Sequence, residues 1–142
     1  MRTTAVRLFG VLVLTSVFGL HGAYAQINSE VHFKMSNSFV AGNAAFPAGS
    51  YVITVESEDS QVLLITNADH SHSVWVQAEI MESQTTPLKT QVLFSKYGDT
   101  WVLKQIWVQG NNTGFLVPRG IPEKKVQKEG KPSQQSVPGN SK

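Results

Sequence analysis

The chain contains no cysteine in its 142 residues. That excludes a disulfide framework, a thiol nucleophile, a thiolate metal centre and the acylated cysteine of a bacterial lipoprotein anchor. Phosphate-cradling glycine loops are missing too, because Gly42, Gly49, Gly98 and Gly110 are scattered as turn residues. No G-x-S-x-G elbow or similar frame gathers Ser, His and Asp into a hydrolytic triad. Glu79 and Glu82 stand three apart in or near a strand, hence on opposite faces, which argues against a paired-carboxylate glycosidase site. No sustained helical period runs through the body of the sequence.

What is present begins at the N-terminus. Arg2 and Arg7 introduce an apolar run at residues 8–20, 13 residues long and too short for a bilayer span of about 20. Ala23-Tyr24-Ala25 follows with a small-x-small pattern. Residues 1–25 therefore read as a signal peptide whose removal leaves Gln26 first. The 117 residues that remain carry no net formal charge. Within them, residues 26–119 hold five basic and eight acidic side chains, and residues 120–142 hold five lysines against Glu123 and Glu129. The pI near 9.0 thus describes the signal and the tail, and it does not imply a nucleic-acid partner. The 94 residues of 26–119 suit one small domain.

Alternation dominates that stretch. Ile27, Ser29, Val31, Phe33 and Met35 face one way, and Asn28, Glu30, His32 and Lys34 the other, the period of a half-buried strand. Phe39-Val40-Ala41-Gly42-Asn43 reads as a short strand, and Phe46-Pro47-Ala48-Gly49 as a turn. Tyr51, Ile53 and Val55 alternate again. Residues 61–66 are nearly continuous apolar, as in a central strand covered on both faces, and Val74, Val76 and Ala78 share a side of the next segment. Gly98-Asp99 suits a two-residue hairpin turn that sets Tyr97 opposite Thr100, Lys96 opposite Trp101, Phe94 opposite Leu103 and Val92 opposite Gln105. Val92, Phe94, Trp101, Leu103 and Trp107 are then the expected core face, with Lys96 placed for a cation–π contact on Trp101. Short strands at about ten-residue spacing predict an all-β fold: a single small antiparallel β-sandwich or partly open β-barrel. An outer-membrane barrel would need more than about 100 residues for eight tilted strands. Residues 120–142 have almost nothing to bury and are expected to be a disordered basic tail, with Pro122 and Gly130 marking at most a turn or two of helix.

Phe39 to Asn43 with Phe46-Pro47-Ala48-Gly49-Ser50-Tyr51, and Tyr97-Gly98-Asp99-Thr100-Trp101 followed by Leu103 and Ile106-Trp107, resemble a group of small exported bacterial β-proteins. That group is functionally uncharacterised. The likeness spans about residues 31–118 and implies export and a β-fold, with no catalytic residues to carry over.

Side chains that could carry chemistry are few. Asp69, His70 and His72 in one turn are candidates for a metal, two imidazoles and a carboxylate able to converge on one cation. Trp75, Tyr97, Trp101 and Trp107 are candidates for stacking on a sugar or lining an apolar cavity, with packing as their ordinary role. Asn111-Asn112-Thr113 matches a glycosylation acceptor and reads as a polar loop tip. The expected function is an exported, non-enzymatic β-domain that binds or supports something in the periplasm or outside the cell. It would have no cofactor and no membrane insertion after signal cleavage, and its partner would be an envelope protein or polymer. The alternative is a carrier of a small apolar ligand or carbohydrate, and a metal-dependent hydrolase ranks last.

Overall fold

The computed structural model describes residues 29–56 and 59–142. The expected signal peptide, Gln26 and Ile27 lie outside the described residues. The elements in order are β1 (Ser29–Met35), β2 (Phe39–Ala41), β3 (Ala44–Phe46), β4 (Gly49–Val55), β5 (Val62–Asn67) and β6 (Ser73–Gln77). They continue with β7 (Glu79–Glu82), β8 (Gln91–Tyr97), β9 (Thr100–Trp107), β10 (Thr113–Leu116), α1 (Ile121–Gln127) and β11 (Ser133–Ser141).

Pairing carries the sheet from β9 through β8, β11, β1, β4 and β5 to β6. The chain then passes through Ala78 into β7, which pairs with β10, and β10 returns to β9. The ring is therefore nearly closed, and of the two expected architectures the barrel-like one is found. The β2–β3 hairpin lies against the first half of β9, where Phe39 registers with Trp101 in parallel.

The alternation in sequence becomes the interior. Val31, Phe33 and Met35 from β1, Tyr51, Ile53 and Val55 from β4, and Leu63 and Ile65 from β5 are all buried in one core. Aromatic rings fill its centre. Phe39 stacks on Phe46 at 4.9 Å and meets Tyr51 and Phe94 edge-on at 5.1 and 5.5 Å. Phe33 lies 5.8 Å from Tyr51 and 6.2 Å from Phe94. Each such pair adds about 0.5–1.5 kcal/mol to its area burial. A small barrel filled this way is a packed core.

The β8–β9 hairpin shows one agreement and one correction. Tyr97–Thr100, Lys96–Trp101 and Phe94–Leu103 pair as expected, and Lys96 Nζ sits 5.4 Å from the Trp101 ring centre. Beyond Phe94 the register shifts, so Leu93 faces Gln105 and Val92 faces Ile106. Lys104 is the extra residue of a β-bulge, and a bulge reverses the in–out parity downstream of it. Ile106 is consequently fully buried, while Trp107 turns to the outer face and lies over Gly114. A Cβ on Gly114 would stand 2.5 Å from the Trp107 ring, so the glycine is what lets the indole lie flat.

Two further expectations are corrected. β5 is not covered on both faces: Leu63 and Ile65 point inward, while Val62 is 40% exposed and Leu64 half-buried. Residues 120–142 are not a disordered tail. They form α1 and β11, and β11 bridges β8 and β1, pairing Val137 with Val92 and Phe33 with Gly139. Its side chains are mostly exposed, so backbone ladders on both edges hold it and apolar burial contributes little. The boundary expected at residue 119 falls inside one body. Gly120 rests directly on the backbone of Gly42, where a Cβ would collide with the Gly42 carbonyl.

Candidate functional site

A cleft opens where the ring fails to close. β7 and β10 pair in register from Ser83–Asn112, where Ser83 N–H donates to the Asn112 carbonyl at 2.9 Å, to Glu79–Leu116. The next bonded position would set Gln77 against Pro118. Proline has no N–H to donate, so the ladder stops there. The two chains diverge around a cleft of about 480 Å³. Its walls are Val74 to Gln77 of β6, the β2–β3 turn with Gly42 and Asn43, and residues 118–120.

Trp75 stands on one wall, 54% exposed, and is the largest apolar side chain that β6 leaves in solvent. Arg119 stands on the other. Its guanidinium has one described bond, to Gln127 Oε1 at 3.1 Å, and retains donors for a ligand. Asn43 is already committed, because its Oδ1 accepts the Ile121 N–H at 2.9 Å and caps α1 from across the fold. The cleft therefore offers an aromatic face, a cation and an amide on Gln77.

The other aromatic candidates are used by the fold. Tyr97 is buried and donates to Glu123 Oε1 at 3.0 Å. Trp101 is half-buried, edge-on to Phe94 at 6.1 Å and beneath Lys96. Trp107 covers Gly114 and donates through Nε1 to Gln105 Oε1 at 3.0 Å. Only Trp75 of the four is both exposed and set on a cleft of substantial size.

The Asp69, His70 and His72 turn is organised for its own backbone. His70 adopts a left-handed φ of 58°, uncommon outside glycine, though His, Asn and Asp enter that region more readily than other residues. Asn67 Oδ1 accepts the His72 N–H at 2.9 Å, and Asn67 Nδ2 donates to Ser71 Oγ at 2.8 Å. The Ser71 hydroxyl and backbone N–H hold the Asp69 carboxyl below its ordinary range. His70 turns instead to a second cleft of about 440 Å³ with Glu30 and His32, while Asp69 borders a different one. Among the described residues no three metal-ligating side chains converge.

One constellation is not legible in the sequence. Glu123, only 1% exposed, takes Tyr97 Oη on one carboxylate oxygen and Lys104 Nζ on the other, both at 3.0 Å. Lys104 Nζ also donates to the Val117 carbonyl at 3.0 Å. Burial, then the Glu123 hydrogen bond and charge, raise the Tyr97 pKa above its ordinary value. Every oxygen and the ammonium are partnered, so the cluster locks α1 onto the outer face of β8 and β9. It has no free group to offer a substrate.

Comparison with models of protein families, with curated proteins and with solved structures gives no significant match to this chain. No helix among the described residues is long and apolar enough to cross a membrane. Fold and site together define an all-β, barrel-like domain whose described strands leave an open seam beside β6.

Proposed function

We propose that this chain is an exported, non-enzymatic binding domain of the periplasm or cell envelope, and that its ligand surface is the seam cleft. The single observation that carries the binding reading is Trp75, 54% exposed beside a cleft of about 480 Å³ that also presents Arg119. Leaving about half of an indole in water forgoes roughly 1 kcal/mol of burial, about half of what full burial of a large apolar side chain supplies. A cleft of this size lies within the usual range for ligand sites. The export half rests on the residue pattern of 1–25 and on the resemblance to small exported β-proteins.

Trp75→Ala tests the reading. About half of the ring is buried, so the substitution should cost about 1 kcal/mol and lower the melting temperature by roughly 3–8 °C while the domain stays folded. Ligand-induced change in tryptophan fluorescence, screened over peptides and oligosaccharides, should disappear with it. A ligand that binds Trp75→Ala as tightly as the parent would remove the cleft from consideration. Terminal sequencing of the exported protein should begin at Gln26.

A carbohydrate ligand is the second reading, favoured by the same ring beside the Gln77 amide, since indole faces stack on sugar rings and amides bond their hydroxyls.

A further inference from the structure

The backbone of β6 is half unused, and register shows which half. Asn67 N–H donates to the His72 carbonyl at 3.1 Å, and Ala78 N–H donates to the Gln61 carbonyl at 2.8 Å. These bonds flank the β5–β6 ladder, in which Ile65 faces Val74 and Leu63 faces Val76. Bonded and non-bonded pairs alternate along an antiparallel ladder. Val74 and Val76 therefore spend their N–H and C=O groups on β5. Ser73, Trp75 and Gln77 direct theirs the other way, to the free edge, and of these Trp75 and Gln77 line the cleft. The strand that would meet them is interrupted, because the β7–β10 ladder ends at Glu79–Leu116 and its register, carried on, would set Gln77 against Pro118. No described strand pairs with β6 on this side.

An exposed edge with donors and acceptors at every second residue is a template for a further strand. Ser73 to Gln77 spans about 13 Å at roughly 3.3 Å per residue, room for a pentapeptide in extended form. The charge on the opposite wall selects its chemistry. Arg119 lines the same cleft, and its planar fork matches a carboxylate in bidentate fashion. Trp75 offers a face to a neighbouring apolar or β-branched side chain of the guest.

We propose that the cleft takes an extended, acidic peptide segment as an added strand along β6, its backbone bonded to Ser73, Trp75 and Gln77 and a carboxylate held by Arg119. This deepens the binding-domain reading and rests on it. An open ring of this kind would be completed by its guest. The guest's backbone supplies affinity and its side chains supply specificity.

The test uses the full mature protein and an array of capped pentapeptides. Half of the array has Glu at the central position and half has Gln there, and each has a counterpart N-methylated at alternate amides. Amide hydrogen exchange of Ser73, Trp75 and Gln77 is read with and without each hit, beside a panel of neutral oligosaccharides. The expected result is binding by acidic peptides, loss of binding on N-methylation, and at least tenfold slower exchange at Trp75 and Gln77. Arg119→Gln should weaken the Glu peptides about tenfold and leave the Gln peptides unchanged, the worth of one charge-assisted contact. Oligosaccharide binding that alters Trp75 fluorescence without slowing those amides would overturn strand addition and leave the binding-domain reading standing. Absence of any binder that depends on Trp75 would overturn both.

Discussion

At the residue scale, the side chain that organises the outer face is Glu123, a charged residue in a lysine-rich segment that reads as solvated from composition alone. Its carboxylate is buried with Tyr97 and Lys104, each at 3.0 Å. Removing one partner from a buried ion pair leaves the other uncompensated, typically at about 3–5 kcal/mol. Glu123→Ala should fall near the lower end, because Lys104 keeps the Val117 carbonyl and some access to water. Replacing both groups, Lys104→Met with Glu123→Leu, should recover much of that loss in urea unfolding. Tyr97 makes the same cluster sensitive to alkali. Its folded pKa is raised by burial and by Glu123, so the folded state keeps a proton that the unfolded chain releases near 10.0. The stabilisation is complete below that pH and is lost as pH rises through the folded value. Unfolding midpoints should therefore drop above pH 10. Tyr97→Phe should show a shallower drop, with a remainder from Tyr51, whose pKa burial also raises. Identical pH profiles for parent and Tyr97→Phe would contradict the assignment.

At the element scale, strands with a clean period of two are legible and strands without one are not. β1 and β4 declare their buried faces through Val31, Phe33, Tyr51 and Ile53. β11 hides because Ser, Gln, Pro, Gly and Asn give no apolar alternation, and Val137 alone packs against the core. Its order comes from two ladders and from anchors such as Gly139 N–H to the Thr90 carbonyl at 3.1 Å and Thr90 Oγ1 to Ser141 Oγ at 3.0 Å. The entropic cost of ordering those residues, roughly 1–2 kcal/mol each, is offset by pairing that composition does not reveal. Truncation after Arg119 should therefore unpair β1 and β8 together and release α1, producing an unfolded or aggregating product. A truncated protein that melts with the parent would show β11 to be dispensable. The bulge at Lys104 is equally silent in sequence, and it alone moves Trp107 from the expected core face to the outside while placing the Lys104 ammonium against Glu123. Seven residues of α1 would be marginal alone, and docking makes them a helix.

At the scale of the whole molecule, the all-β class follows from short strands at regular spacing, whereas the closure of the ring does not. Closure depends on β6 passing through Ala78 to change partners from β5 to β10, and on β11 joining β8 to β1. Neither junction has a local signature. The opening has one, in retrospect of chemistry: Pro118 at the end of a strand cannot extend a ladder. Trp75 is legible as a candidate ring, yet its separation from Tyr97, Trp101 and Trp107 needs the fold, because all four share the same β-rich setting. The open seam underlies both the proposed binding surface and the strand it is inferred to accept. Native-state hydrogen exchange on the unliganded protein tests it most directly, residue by residue along β6. Alternation is expected, with Val74 and Val76 amides protected by β5 and Trp75 and Gln77 amides exchanging orders of magnitude faster. Uniform protection from Ser73 to Gln77 would mean that the ring is closed on that side, and the cleft would not be a free edge.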